Sequence, residues 1–220
     1  MIFSEKDLYF SIKFVLLITW VVAISLPSRL EALDNIEIYL SGYGMASQPS
    51  NKGVSFKGRG VSGETVNGDP GLGFKIGFFP NFAGGYLGIE LESFGNNNSI
   101  HFPIVSSLET TKGESSLIAY QSMVNLLLRY PGTMFRPYVG IGGGLSTGIL
   151  TNADIPGRKD NSFEAGTAFG YQFLGGMHLV ITERWFVFGE YKYFSANYHW
   201  KELSLEFRSE YFLGGIGFLF

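Results

Sequence analysis

Three features of this 220-residue sequence predict an all-β fold, an eight-stranded antiparallel up-and-down transmembrane β-barrel. Beyond Leu33, apolar and polar residues alternate with period two almost throughout, and no stretch carries the period of an amphipathic helix. The connections between the alternating runs are short and long by turns. The last run, Tyr211–Phe220, puts Phe212, Ile216, Phe218 and Phe220 on one face, without the charge or proline that blunts a soluble edge strand. Composition agrees. With 16% aromatic residues and 30 glycines against 8 prolines, the chain suits many strands punctuated by glycine and excludes Gly/Ser/Pro-type disorder.

Taken in order, residues 1–32 read as a signal peptide. Lys6 and Lys13 precede the apolar run Phe14–Leu26, Pro27 and Ser28 break it, and Ala32 offers a small residue for cleavage. That run is well short of the ~20 residues a spanning helix needs. Residues 33–220 then form the barrel domain, with strands expected at 36–47, 70–80, 85–95, 116–130, 136–148, 163–181, 185–197 and 206–220. Pro80-Asn81-Phe82-Ala83-Gly84, Pro131-Gly132-Thr133 and Thr182-Glu183-Arg184 supply tight turns, while the connections around 48–69, 96–115, 149–162 and 198–205 are longer and polar. Outer-membrane barrels have this asymmetry, with the short turns in the periplasm.

Within each strand the charges share one parity. Leu72, Phe74, Ile76 and Phe78 oppose Lys75; Leu87, Ile89 and Leu91 oppose Glu90 and Glu92; Ile118, Val124, Leu126 and Leu128 oppose Gln121, Asn125 and Arg129; Trp185, Val187, Tyr191 and Tyr193 oppose Glu190 and Lys192. The polar parity is also rich in glycine, which suits a crowded lumen better than a solvated surface. On the apolar parity, aromatics gather at the strand ends: Phe78, Tyr130 and Trp185 toward the turns, Tyr120, Tyr193 and Phe212 toward the loops, as expected of two interfacial girdles.

The lumenal set Lys75, Glu90, Glu92, Gln121, Arg129, Glu190 and Lys192 is the main candidate site. An eight-stranded barrel has room for side chains and little else, so these groups are expected to pair as a buried core. A narrow polar path for ions is the alternative. Other chemistry finds less support. The net charge of −3 without a basic stripe argues against a nucleic-acid partner, and the absence of cysteine removes disulfides and thiolate metal sites. His101, His178 and His199 lack metal-ligand spacing, so neither metal nor cofactor is expected. The run Gly140-Ile-Gly-Gly-Gly144 brushes against a dinucleotide fingerprint, yet another strand-like run follows where phosphate binding needs a helix N-terminus.

The stretches Arg136–Leu145 (RPYVGIGGGL) and Trp185–Phe194 (WFVFGEYKYF), with the closing run, resemble the eight-stranded outer-membrane barrel families, the OmpA/OmpX-like and opacity-type porin-like surface proteins of Gram-negative bacteria. The resemblance covers about 36–220 and implies residence in the cell outer membrane among lipid and lipopolysaccharide. It also implies a C-terminal signal read by barrel-assembly machinery, carried by Gly215, Phe218 and Phe220, with Leu213 where that signal has a polar residue. The expected role is structural or surface interaction, with a possible ligand at loops 48–69 and 96–115, where Ile100–Val105 forms an apolar stretch. A narrow porin-like channel is the second reading and an outer-leaflet lipid-modifying enzyme, on His199 with Ser195 and Glu202, the third. One barrel hosts many activities, so no catalytic residue is assigned and no enzyme is expected.

Overall fold

The computed structural model describes residues 36–50, 54–56, 59–60, 65–105, 110–151, 164–199 and 203–220. The expected signal peptide lies outside them. In chain order the strands are β1 (Ile36–Ser50), β2 (Val54–Phe56), β3 (Arg59–Gly60), β4 (Thr65–Pro80), β5 (Leu87–Val105), β6 (Thr110–Arg129), β7 (Phe135–Thr151), β8 (Glu164–Val180), β9 (Trp185–His199) and β10 (Leu203–Leu219). All pair antiparallel.

Eight strands close the barrel, in the order β1, β4, β5, β6, β7, β8, β9, β10 and back to β1. The small β2–β3 hairpin hangs from the far end of β10, where Leu203, Ser204 and Leu205 pair with Phe56, Ser55 and Val54. Closure carries a stagger. The paired circuit Leu40, Ile76, Leu91, Val124, Gly143, Tyr171, Ser195, Arg208 returns to β1 at Ser50, ten residues beyond its start. Such a shift forces the strands to tilt and sets how wide the lumen is.

The turn ends lie close to expectation. A 3-10 turn at Asn81–Ala83 leads into Gly84 and Gly85, both with positive φ (61° and 72°), so β5 starts at Leu87 rather than at 85. At the other end the strands run further than expected. The β5–β6 ladder continues to Val105 opposite Thr110, so most of 96–115 is paired hairpin rather than loop. Asn96-Asn-Asn-Ser99 reads as a loop because asparagine is depleted in strands. There β5 has passed beyond the apolar band, and a strand facing water on its outer side needs no apolar parity. β4 likewise begins at Thr65, and its pairing with β5 slips between Gly68 and Gly71, around Pro70, which has no N–H to give the ladder.

The outward parity carries Leu72, Leu87, Ile89, Leu91, Val124, Leu126, Leu128, Val139, Ile141, Phe169 and Phe173, all substantially exposed. The inward parity fills the lumen with rings: Tyr39, Tyr43, Phe79, Phe94, Tyr138, Phe186, Phe188, Phe194 and Tyr211 are buried and form one apolar cluster. Glycine makes this possible. A Cβ at Gly77 would run into the Tyr39 ring, at Gly73 into Tyr43, at Gly88 into Phe79, at Gly170 into Phe194, at Gly176 into Tyr138 and at Gly217 into Phe186. Each ring lies over a bare stretch of the neighbouring strand, in the space a side chain would have taken.

Candidate functional site

The lumen is layered, and the order of layers reads directly off β9. From the turn end its inward residues are Phe186 and Phe188, then Glu190 and Lys192, then Phe194. On β5 the sequence is Gly88, Glu90, Glu92, Phe94, Asn96 and Asn98.

The middle layer is a buried network of three carboxyl groups and two ammonium groups. Lys75 Nζ lies 2.5 Å from Glu190 Oε2, 3.3 Å from Glu90 Oε1 and 3.6 Å from Glu92 Oε1. Lys192 donates to Glu92 and stands 3.6 Å from Glu190 Oε1. Each carboxylate also receives a phenol: Tyr39 donates to Glu90, Tyr43 to Glu92 Oε1 at 2.5 Å and Tyr138 to Glu190 Oε2 at 2.7 Å. Asn125 Nδ2 donates to Glu90 Oε1 (2.8 Å) and Glu92 Oε2 (3.1 Å), and Gln172 Nε2 donates to Glu92 Oε2 (2.8 Å) and Asn125 Oδ1 (2.6 Å). Both ammonium groups also sit over rings: Lys75 over Tyr43 and Phe188 at 5.6 Å, Lys192 over Phe94 at 4.3 Å. Charges taken out of water this far need such dense pairing to persist.

Toward the turn end lies a layer of rings. His178 is buried there, with its ring centroid 4.6 Å from those of Tyr138 and Phe186, 5.4 Å from Tyr39 and 5.9 Å from Phe188. Phe79 stacks on Tyr39 at 6.2 Å. Beneath them Arg129 covers the Phe79 ring at 3.5 Å and donates to Glu37 Oε1 at 2.5 Å, while Arg136 donates to Glu37 Oε2 at 2.9 Å. Toward the loops, a second set of rings follows, with Phe94 5.6 Å from Tyr211 and 6.2 Å from Phe194.

Of the seven lumenal residues read from the sequence, all are buried, and Lys75, Glu90, Glu92, Glu190 and Lys192 meet in one network. Arg129 does not join them. It belongs to the turn-end lid with Glu37 and Arg136, which the sequence reading left out of the set. Gln121 lies two inward positions beyond Asn125 on β6, on the loop side of the network. The three tyrosines, Asn125 and Gln172 complete the site. Their signal was parity: Asn125 shares the parity of Gln121 and Arg129 on β6, Tyr138 that of Gly140 and Gly142 on β7, and Gln172 that of Gly170 on β8.

The aromatics Phe78, Tyr120, Tyr130, Trp185, Tyr193 and Phe212 all point outward. Tyr130, the residue just past β6, and Tyr120 stand ten positions apart, about 25 Å of height in a tilted strand, close to the apolar band of such barrels. Of the closing run, Gly215 faces inward against Phe188 and Tyr43, while Phe218 and Phe220 lie outside with ring centroids 5.1 Å apart. Ser195 is buried and His199 exposed, four positions apart on β9 or about 13 Å, too far for a nucleophile and its base. Glu202 lies outside the described residues.

The family model of the outer membrane protein beta-barrel domain matches residues 30–210. Among solved structures, the Neisserial surface protein A aligns at 13% identity with a TM-score of 0.50, covering 83% of this chain and 97% of that one. OprG of Pseudomonas aeruginosa aligns at 14% identity and TM-score 0.46, covering 84% and 96%. Ail of Yersinia pestis, in complex with a heparin analogue, aligns at 12% and 0.47, covering 84% and 99%. No curated protein matches in sequence. The likeness to Neisserial surface protein A, at that identity, speaks to fold alone. The closed eight-stranded wall, its apolar outer face and the family match over most of its length agree: this chain belongs to the outer membrane protein beta-barrel domain family and resides in the cell outer membrane.

Proposed function

We propose that the protein is a plugged barrel that works through its extracellular end, in a structural or surface-interaction role and without enzymatic activity. The observation that carries this reading is the filled lumen, in which a buried layer of three carboxyl and two ammonium groups lies between two layers of rings. A second feature supports it. β6 continues ten residues past Tyr120, so about 25 Å of paired strand stands beyond the outward rings on the side of the longer connections. The regions 48–69 and 96–115 form the contact surface in this reading.

Residues 1–32 act as the export signal and are removed. Gly215, Phe218 and Phe220 present the assembly machinery with its C-terminal signal. The outward rings Phe78, Tyr130 and Trp185 sit at the periplasmic interface, and Tyr120, Tyr193 and Phe212 toward the lipopolysaccharide leaflet.

Planar-bilayer recording of protein extracted from outer membranes tests the plug. A stably inserted, electrically silent barrel is the expected result, and steady ion-selective openings would replace this reading with a channel. For the contact surface, residues 51–64 and 106–109 are exchanged for short Gly/Ser turns in cells that display the protein. Attachment to glycan- or matrix-coated surfaces should fall while the barrel keeps its heat-modifiable gel mobility. Unchanged attachment would remove the surface role.

A further inference from the structure

Two of the barrel's ladders stop while their strands continue. β8 pairs with β9 from Val180 opposite Phe186 up to Gly170 opposite Ala196. Beyond that point β8 runs on to Glu164 along β7, and β9 runs on to His199 along β10. The ladder between β1 and β4 likewise ends at Met45 opposite Gly71, while β1 continues to Ser50 on β10 and β4 to Thr65 on β5. On the loop side the wall is therefore two sheets parted by two notches. Gly170 stands ten positions beyond Val180, about 25 Å of height in a tilted strand, so the notch between β8 and β9 opens near the top of the apolar band.

An unpaired strand edge is a template for another strand, and proteins blunt such edges with proline, lysine or a covering segment. The notch between β1 and β4 is blunted. Pro49 lies on one edge and Pro70 on the other, and Ser47 Oγ donates across it to Asp69 O at 3.0 Å. A Cβ at Gly68 would lie 2.2 Å from Ser47 O, so these two strands still touch. The notch between β8 and β9 has none of this. Its edges read Glu164-Ala-Gly-Thr-Ala-Phe169 and Asn197-Tyr-His199, without proline or lysine. Among the described residues no ladder pair joins Thr167–Phe169 to Asn197–His199, and Thr167, Phe169, Asn197 and His199 are exposed. The notch also has a floor. The Tyr198 hydroxyl bonds Ser146 on β7, and Ser146 pairs with Ala168, so the Tyr198 ring passes beneath β8. This makes the notch a groove in the outer side of the wall and not a door into the lumen. The connection 152–163 adjoins it in sequence, and Pro156, Gly157 and the charges Arg158, Lys159 and Asp160 suit that segment poorly to adding a strand.

We propose that the edge of β8 from Glu164 to Phe169 binds an extended peptide of a partner protein, which joins the sheet of β7 and β8 as a further strand. Six residues offer about 20 Å of edge. Main-chain hydrogen bonds supply the attraction, and the outward Thr167 and Phe169 favour β-branched or aromatic residues opposite them. The edge is separate from the regions 48–69 and 96–115, so this contact stands or falls independently of theirs.

The test is fluorescence anisotropy on protein extracted from outer membranes, with folding of each variant checked by heat-modifiable mobility. The probe is a labelled peptide of alternating threonine and valine with a lysine at each end. Its control is the same peptide with alternate amides N-methylated, which cannot extend a sheet. Wild type should bind the probe and ignore the control. Successive N–H groups of a strand point to opposite neighbours, so of Thr167→Pro and Ala168→Pro one strips the open edge and the other a bond to β7. At least one of them, folded, should bind the probe at least tenfold more weakly. Thr167→Cys combined with His199→Cys carries the test if neither proline variant folds, because the chain has no other cysteine. Oxidation should then close the notch and abolish binding, and reduction should restore it. Exchange of 51–64 and 106–109 should leave probe binding unchanged. A wild type that ignores the probe or binds the control equally overturns the proposal, as does full binding by both proline variants. Self-association of wild type that the same prolines abolish would give the edge to a second copy and overturn it as well.

Discussion

The inner and outer walls of this barrel are built from the same kinds of residue and hold them in opposite ways. On β9, Trp185, Val187, Tyr191 and Tyr193 face out and are exposed or half-buried, whereas Phe186, Phe188 and Phe194 face in and are buried. An outward ring meets acyl chains that flow around whatever shape it has. An inward ring meets fixed backbone, and it fits where the neighbouring strand has glycine, as Phe186 fits over Gly217 and Phe194 over Gly170. The outer wall therefore constrains polarity and little else. The inner wall constrains shape, charge and register together.

Substitutions matched across the two walls can break or sharpen this contrast. The largest effect is expected inside. Glu190→Ala removes the nearest carboxylate of Lys75 and the acceptor of Tyr138, leaving a buried ammonium short of a partner. The loss should be about 3–5 kcal/mol in urea unfolding from lipid vesicles. An unchanged midpoint would mean that the network is hydrated enough to be dispensable. On the outer wall, Val124→Arg places a charge roughly midway between Tyr120 and Tyr130 and should cost about 2–4 kcal/mol. The same assay with a smaller loss would argue that this face is covered by something more polar than acyl chains.

The third and fourth predictions put one alanine on each wall of adjacent strands. Gly77→Ala on β4 drives a methyl into the Tyr39 ring and should cost about 1–3 kcal/mol through overpacking. Gly42→Ala on β1 points outward, where a Cβ meets nothing within 4 Å, and should shift stability by no more than about 0.5 kcal/mol. Equal effects of the two alanines would show that glycine serves strand flexibility here rather than ring packing.

Much of the fold was legible because alternation is a local property. Phe74 beside Lys75, or Ile89 beside Glu90, states which side of a strand is apolar without knowledge of any other strand, and the glycine-rich polar parity with aromatics at the strand ends then turns that side to lipid. The turn at Pro80–Gly84 was legible for the same reason. The far ends of the strands were not, because β5 and β6 lose their apolar parity once they leave the lipid, and Asn96–Ser99 then reads as loop although each residue is paired. The candidate site was half legible. Parity identified Lys75, Glu90, Glu92, Glu190 and Lys192 as inward, and it grouped Arg129 with them because parity carries no height. On β6, Arg129 lies two inward positions closer to the turn than Asn125, enough to put it at the lid with Glu37.

By itself, then, the sequence determined the strand type, the number of barrel strands, the lipid-facing side of each and the end at which the tight turns lie. These follow from a period of two residues and from turn chemistry, both set within a few positions along the chain. Only the tertiary structure decided the ten-residue stagger of closure, the meeting of Lys75 with Glu190 across the lumen and the seating of each ring on a particular glycine. Those depend on how far each strand slides against its neighbours. That slide is settled by filling one shared interior, which no single strand can see.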